Sequence, residues 1–214
     1  MPAERGILCL AYLGRVSECQ QAVAEFLGGT GVGFREGLIT ALDAAVLIAD
    51  VDHAVPLAAQ LADAFSPNLI GNPELSCASV GRVLGGAAAL AGQLDQAEDY
   101  SRQAIAACER ARFRPELALT RLQLAEVLSA KASEPNENQA DALTPTPSTG
   151  SPNAPMNRGS ESAGRTGQAL SQREREALRH EALGHLDFAI DEFRAMKMQP
   201  ALERALRHKG LLHA

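Results

Sequence analysis

Tryptophan is absent from the 214 residues, and six Phe and two Tyr are the only aromatics. An aromatic content of 4% excludes an all-β sandwich or barrel, which fills its pleated surfaces with aromatic and β-branched side chains. Cysteine is scarce as well. Cys9, Cys19, Cys77 and Cys108 form no C-x-x-C pair and match no zinc spacing. They read as reduced thiols, buried as small apolar residues of a cytoplasmic protein. No apolar run reaches membrane-spanning length, the longest, around Leu38 to Ala49, being broken by Asp43. Nor is the stretch from Gly6 to Gly14 behind Arg5 a signal peptide, since it lacks a small-x-small cleavage site and runs into Arg15 and Glu18. Excess positive charge is missing too: 20 basic against 26 acidic residues give a net charge of −6. That leaves no electrostatic footprint for direct nucleic-acid binding. The clusters Arg110, Arg112, Arg114 and Arg204, Arg207, Lys209 read as solvated helix ends.

What is present is alanine and leucine, 39 and 28 residues, the best helix formers. Leu94, Ala97, Ser101, Ala104, Ile105, Cys108 and Ala111 recur at steps of three and four, as do Leu178, Ala182, Leu186, Ala189, Phe193 and Met196. Asp52 is the expected N-cap of a helix from His53 to Phe65, with Pro56 in its first turn. Pro200 suits the first turn of a last helix ending near Leu212, and Gly14, Gly92 and Gly210 are expected terminators. The composition changes between Lys131 and Gln172, where Ser, Pro, Asn, Thr and Gly dominate and only Leu143, Met156 and Leu170 are large and apolar. Such a stretch cannot offset its ordering entropy by burial, so residues 131–172 are expected to be a disordered insert. It divides helical hairpins over 1–130 from C-terminal helices over 173–214.

Repetition sets the architecture. Small residues at Cys19, Ala54, Ala97 and Ala182 are each followed seven positions on by Phe26, Leu61, Ala104 or Ala189. The intervals are 35, 43 and 85, the last reducing to about 43 without the insert. A period of this size means stacked helical hairpins, which approach closely only where side chains are small.

Within that frame, Val83-Leu84-Gly85, Ala88, Gly92-Gln93-Leu94-Asp95-Gln96-Ala97 and Ala104 resemble a tetratricopeptide repeat. Arg114-Pro115-Glu116-Leu117-Ala118, Arg121-Leu122 and Leu124-Ala125 resemble the first helix of the next, with its second helix at Glu181 to Met196 beyond the insert. Ser76-Cys77-Ala78-Ser79-Val80 and the ending Phe193 to Ala205 extend the likeness to the C-terminal repeat region of large bacterial signalling ATPases. Those proteins join a cyclase or DNA-binding output module to a nucleotide-binding switch. The chain departs from the pattern in having no Trp in any first helix, in placing Tyr100 one position before the usual aromatic, and in carrying neither ATPase nor output module. Nothing enzymatic transfers with the resemblance.

Motifs with chemistry fail on spacing. Gly28-Gly29-Thr30-Gly31-Val32-Gly33 has phosphate-loop glycines, but Phe34-Arg35 stands where the Lys and hydroxyl belong. His180 and His185 are five residues apart, so on a helix the imidazoles diverge by about 140° and cannot share a zinc. Adjacent carboxylates such as Glu98/Asp99 and Asp191/Glu192 diverge by about 100° and make no acid–base couple. A hydrolase built on these histidines is the remote alternative.

The sequence therefore predicts an all-α protein: about four tetratricopeptide-like hairpins in an α-solenoid, without catalytic residues, cofactor or metal. Its expected role is binding a protein or peptide partner, or sensing a ligand, in bacterial signal transduction or transcriptional regulation. The resemblance makes an upstream ATPase or cyclase module one partner. A detached piece of such a regulator, with no independent partner, is the other expectation, because the chain opens inside a hairpin and an uncapped N-terminal end would self-associate. Arg82, Arg121, Gln123 and Glu126 are the expected groove residues, projecting from first helices.

Overall fold

A short backbone closure recurs between the helices and ends five of them. The computed structural model describes residues 3–29, 34–71, 78–134 and 170–212. Among them it holds nine helices: α1 (Ala3–Tyr12), α2 (Val16–Leu27), α3 (Phe34–Leu47), α4 (Val51–Ala64), α5 (Val80–Leu90), α6 (Leu94–Ala111), α7 (Arg114–Ser133), α8 (Gln172–Met196) and α9 (Gln199–Leu212). Five junctions place one residue in the left-handed region: Gly14, Ala49, Gly92, Arg112 and Lys197, with φ of 68°, 56°, 74°, 52° and 58°. The N–H of the following residue (Arg15, Asp50, Gln93, Phe113 or Met198) donates to the carbonyl five residues back at 2.9–3.0 Å, satisfying a helix end. That residue's own carbonyl accepts the first bond of the next helix, from Cys19, Ala54, Ala97, Leu117 or Leu202.

This register explains the small residues of the sequence repeat. Cys19, Ala54 and Ala97 stand one turn into α2, α4 and α6, and all three are fully buried. Ala182 is also fully buried, but α8 begins ten residues earlier, at Gln172, so Ala182 sits mid-helix. Consecutive helices pack in pairs, α1 with α2, α3 with α4, α5 with α6 and α7 with α8. The first helix of each pair also packs on the first helix of the next, and α9 covers α7 and α8. One core cluster joins α1 to α5 around Leu42, Leu57, Leu61 and Leu84. A second joins α7, α8 and α9 around Leu122, Leu124, Leu186 and Phe193.

Several sequence expectations are corrected. Asp50, not Asp52, caps α4: its side chain accepts from the His53 N–H at 3.3 Å and pairs with the His53 ring at 2.7 Å. With the helix starting at Val51, Pro56 lies beyond the first turn and removes the donor that the Asp52 carbonyl would use. Gly210 terminates nothing, since α9 runs through it to Leu212. Lys131 to Ser133 belong to α7, because Ala132 is fully buried and Lys131 is held by two carboxylates. Ser171 opens α8 with a capping box closed by Glu174. The remainder of the proposed insert, residues 135–169, lies outside the described residues. Cys19 and Cys108 are buried as expected, Cys9 is exposed, and Cys77 lies outside the described residues. At the N-terminal end, α2 exposes Ser17, Glu18, Gln20, Gln21 and Glu25, a polar face, while the exposed apolar residues Tyr12, Leu13 and Val16 gather at the α1–α2 turn.

Glycine lets α5 sit close against its neighbours. A β-carbon on Gly81 would stand 2.8 Å from the carbonyls of both Pro67 and Tyr100, so α5 approaches α6 backbone to backbone.

Candidate functional site

Along the row of first helices the charged side chains converge on Arg82 of α5. Its Nη atoms donate to both oxygens of Asp43 on α3 at 3.1 and 3.2 Å. Its Nε donates to Oε1 of Glu116 on α7 at 2.6 Å, and the Ser79 N–H reaches the same oxygen at 2.6 Å. The side chains of Asp43 and Glu116 are only 6% and 3% exposed, so the three charges form a buried network that ties three helices together. Burial works against the Arg82 charge, but the two carboxylates outweigh it and hold its pKa above the ordinary arginine value. Burial pushes the Glu116 carboxyl up against the pull of Arg82 and the Ser79 N–H. Nearby, burial and Glu116 push the Cys108 thiol up to about 11, leaving it a protonated, inert group at neutral pH.

Tyr12 of α1 belongs to the same neighbourhood. It is 70% exposed, yet desolvation raises its phenol, helped by Asp43 and Glu116 and opposed by Arg82 and Arg204. The charges that act on it come from α3, α5, α7 and α9. At the far side, Arg204 of α9 donates to Glu126 of α7 at 2.7 Å.

The expected groove residues divide. Arg82, Gln123 and Glu126 lie on this side of the molecule, all already engaged. The Gln123 amide donates to the Arg82 carbonyl at 2.8 Å and to the Ser101 hydroxyl at 3.3 Å. Arg121, two residues before Gln123 and so about 200° around α7, faces the other way. It bonds Glu109 of α6 at 2.9 Å and lies 4.2 Å from the Phe188 ring centre on α8. Sequence reasoning missed Tyr12, Asp43, Glu116 and Arg204. Only Asp43 left a signal, as a lone charge in an apolar run, which implies a buried partner.

Two gaps lie between second helices, and they differ. Among the described residues α4 and α6 make no direct backbone contact. Between them opens a cleft of about 250 Å³, walled by Val55, Ala58 and Ala62 on one side and Gln96 and Tyr100 on the other, with Ala87 in its floor. The corresponding gap between α6 and α8 is spanned by charge. Lys131 binds Asp95 and Glu98 at 2.6 and 2.7 Å, Glu98 binds Arg102, and Arg102 reaches Glu181 of α8 at 2.8 Å. His185 stands behind Glu181, its Nε2 3.6 Å from the carboxylate and its buried Nδ1 without a partner. No Ser hydroxyl or Cys thiol bonds to either His180 or His185 among the described residues. No group of three metal-ligating side chains occurs there, and no helix there is long and apolar enough to cross a membrane. Gly28 and Gly29 close α2, while Thr30 to Gly33 lie outside the described residues.

No family model matches the chain, and neither a curated protein nor a solved structure does.

Proposed function

We propose that the chain is a non-catalytic, cytoplasmic helical-repeat module, a tetratricopeptide-like solenoid whose first helices present a concave surface to a protein or peptide. The placement in bacterial signalling or transcriptional control rests on the sequence resemblance alone, as does an ATPase or cyclase module as partner. The shared turn closure and the packing of each first helix on the next support the solenoid. The binding role is carried by Tyr12. Its ring is open to solvent while charged groups of four other helices lie close enough to shift its phenol. Accessible aromatics and exposed arginines such as Arg204, whose charge reaches the Tyr12 phenol, are the anchors that dominate protein interfaces. Asp43, Arg82 and Glu116 tie α3, α5 and α7 together nearby.

The test is selection of peptides from a random display library on the intact chain, followed by affinity measurement. Tyr12→Ala and Arg204→Ala should each weaken the selected peptides by about tenfold or more, the loss of roughly 1.4 kcal/mol expected of an anchor. Affinities unchanged by both substitutions would remove the concave face as the binding surface.

A further inference from the structure

One oxygen atom in the α6–α8 gap has two suitors. Oε1 of Glu181 accepts from Arg102 Nη2 at 2.8 Å, and the same atom lies 3.6 Å from His185 Nε2 on its own helix. The second distance is beyond a hydrogen bond, so as it stands the carboxylate belongs to Arg102 and ties α8 to α6. This tie has no backbone substitute, since the backbones of α6 and α8 do not come close among the described residues. We propose that Glu181, Arg102 and His185 form a proton-operated strut, in which a protonated His185 draws Glu181 away from Arg102 and opens the α6–α8 gap.

The groups around His185 set the direction of the switch. Arg102, paired with Glu98, faces it from α6, and Arg121, paired with Glu109, faces it from α7. Glu181 is the anion within reach on α8, because Asp187 is two residues on and bonded to Lys209 of α9. Burial, then Arg121, holds the His185 imidazole below its ordinary value, with Glu181 pulling the other way. The neutral imidazole is therefore the resting form at neutral pH, and Nδ1, buried without a partner, gives it nothing else to hold. Mild acid places a third cation between two guanidiniums, and among the described residues Glu181 is the carboxylate paired with it. The α6–α8 strut then opens while α8 stays packed on α7. The apolar gap one pair earlier, between α4 and α6, carries no such strut and stays indifferent to pH.

The experiment is a side-chain NMR titration of the full chain between about pH 7.5 and about pH 5, the window in which histidine changes charge. The Arg102 guanidinium signal should shift with the same midpoint as the His185 imidazole, and that shift should vanish in His185→Gln. Removing the competitor with Arg102→Gln should move the His185 midpoint upward, and Glu181→Gln should move it downward. A flat Arg102 signal through the imidazole titration overturns the strut, as does an equal Arg102 shift in His185→Gln. Should His185→Gln not fold, an Arg102→Gln midpoint that stays where the wild type has it overturns the strut by itself.

Discussion

The Gln123 amide fills the space that Gly85 leaves: its Nε2 lies 2.8 Å from where a β-carbon on Gly85 would stand. From there it donates to the Arg82 carbonyl, holding α7 against α5 just below the buried ion network. Gly85→Ala should destabilise the protein by about 1–3 kcal/mol, because the Ser101 hydroxyl and the Ala97 carbonyl crowd the new methyl at 3.0 and 3.2 Å as well. Denaturant midpoints check this. Gln123→Ala added to Gly85→Ala should lose less than the sum of the two, since the amide is then no longer displaced.

Arg82→Met strands two buried carboxylates and should lose about 3–5 kcal/mol at neutral pH. The pH dependence distinguishes this from a simple packing loss. Glu116 already titrates above its ordinary value, so its ionised form opposes folding at neutral pH, and the opposition fades as the pH falls through the raised value and is gone below the unfolded one. Without Arg82 the opposition grows. The variant should thus gain stability relative to wild type as pH drops from about 7 to about 5. Thermal midpoints that fall in parallel for both proteins would contradict the assignment.

Ala49, Arg112 and Lys197 hold left-handed conformations that side chains resist. Replacing each with Gly should stabilise the chain by about 0.5–1 kcal/mol. Gly14→Ala and Gly92→Ala should do the reverse by a similar amount, from backbone strain alone, because no atom lies within 4 Å of the added methyl. Five single variants, measured by reversible unfolding, cover both signs.

Asp50→Ala should cost about 1 kcal/mol through the lost cap and the lost His53 pair, and Asp52→Ala only a few tenths. Equal losses in the two would return the cap to Asp52.

The helices and most of their buried stripes were legible in the sequence because period and composition are local. Ala182, Leu186, Ala189 and Phe193 read as one stripe and are all fully buried. The start of α4 was misplaced by two residues because Asp50 and Asp52 are chemically equal as caps. The left-handed Ala49 two residues before Val51 chooses between them, and propensity gives no warning of it. The charged network was half legible. Arg82 sits where first-helix position implies, but its partners Asp43 and Glu116 are 39 and 34 residues away, and no local pattern pairs them. Arg121 and Gln123 were grouped because both project from a first helix, although a helix sends neighbours two apart to opposite sides.

The five turns carry Gly, Ala, Gly, Arg and Lys at the left-handed position and keep one hydrogen-bond closure throughout. What this chain copies from junction to junction is therefore a backbone hinge angle, and side-chain identity is free to wander around it. Mutational drift can erase the written motif while the pitch between successive helices survives. Evolution can then rewrite the walls of a cavity without re-engineering the frame that holds them apart.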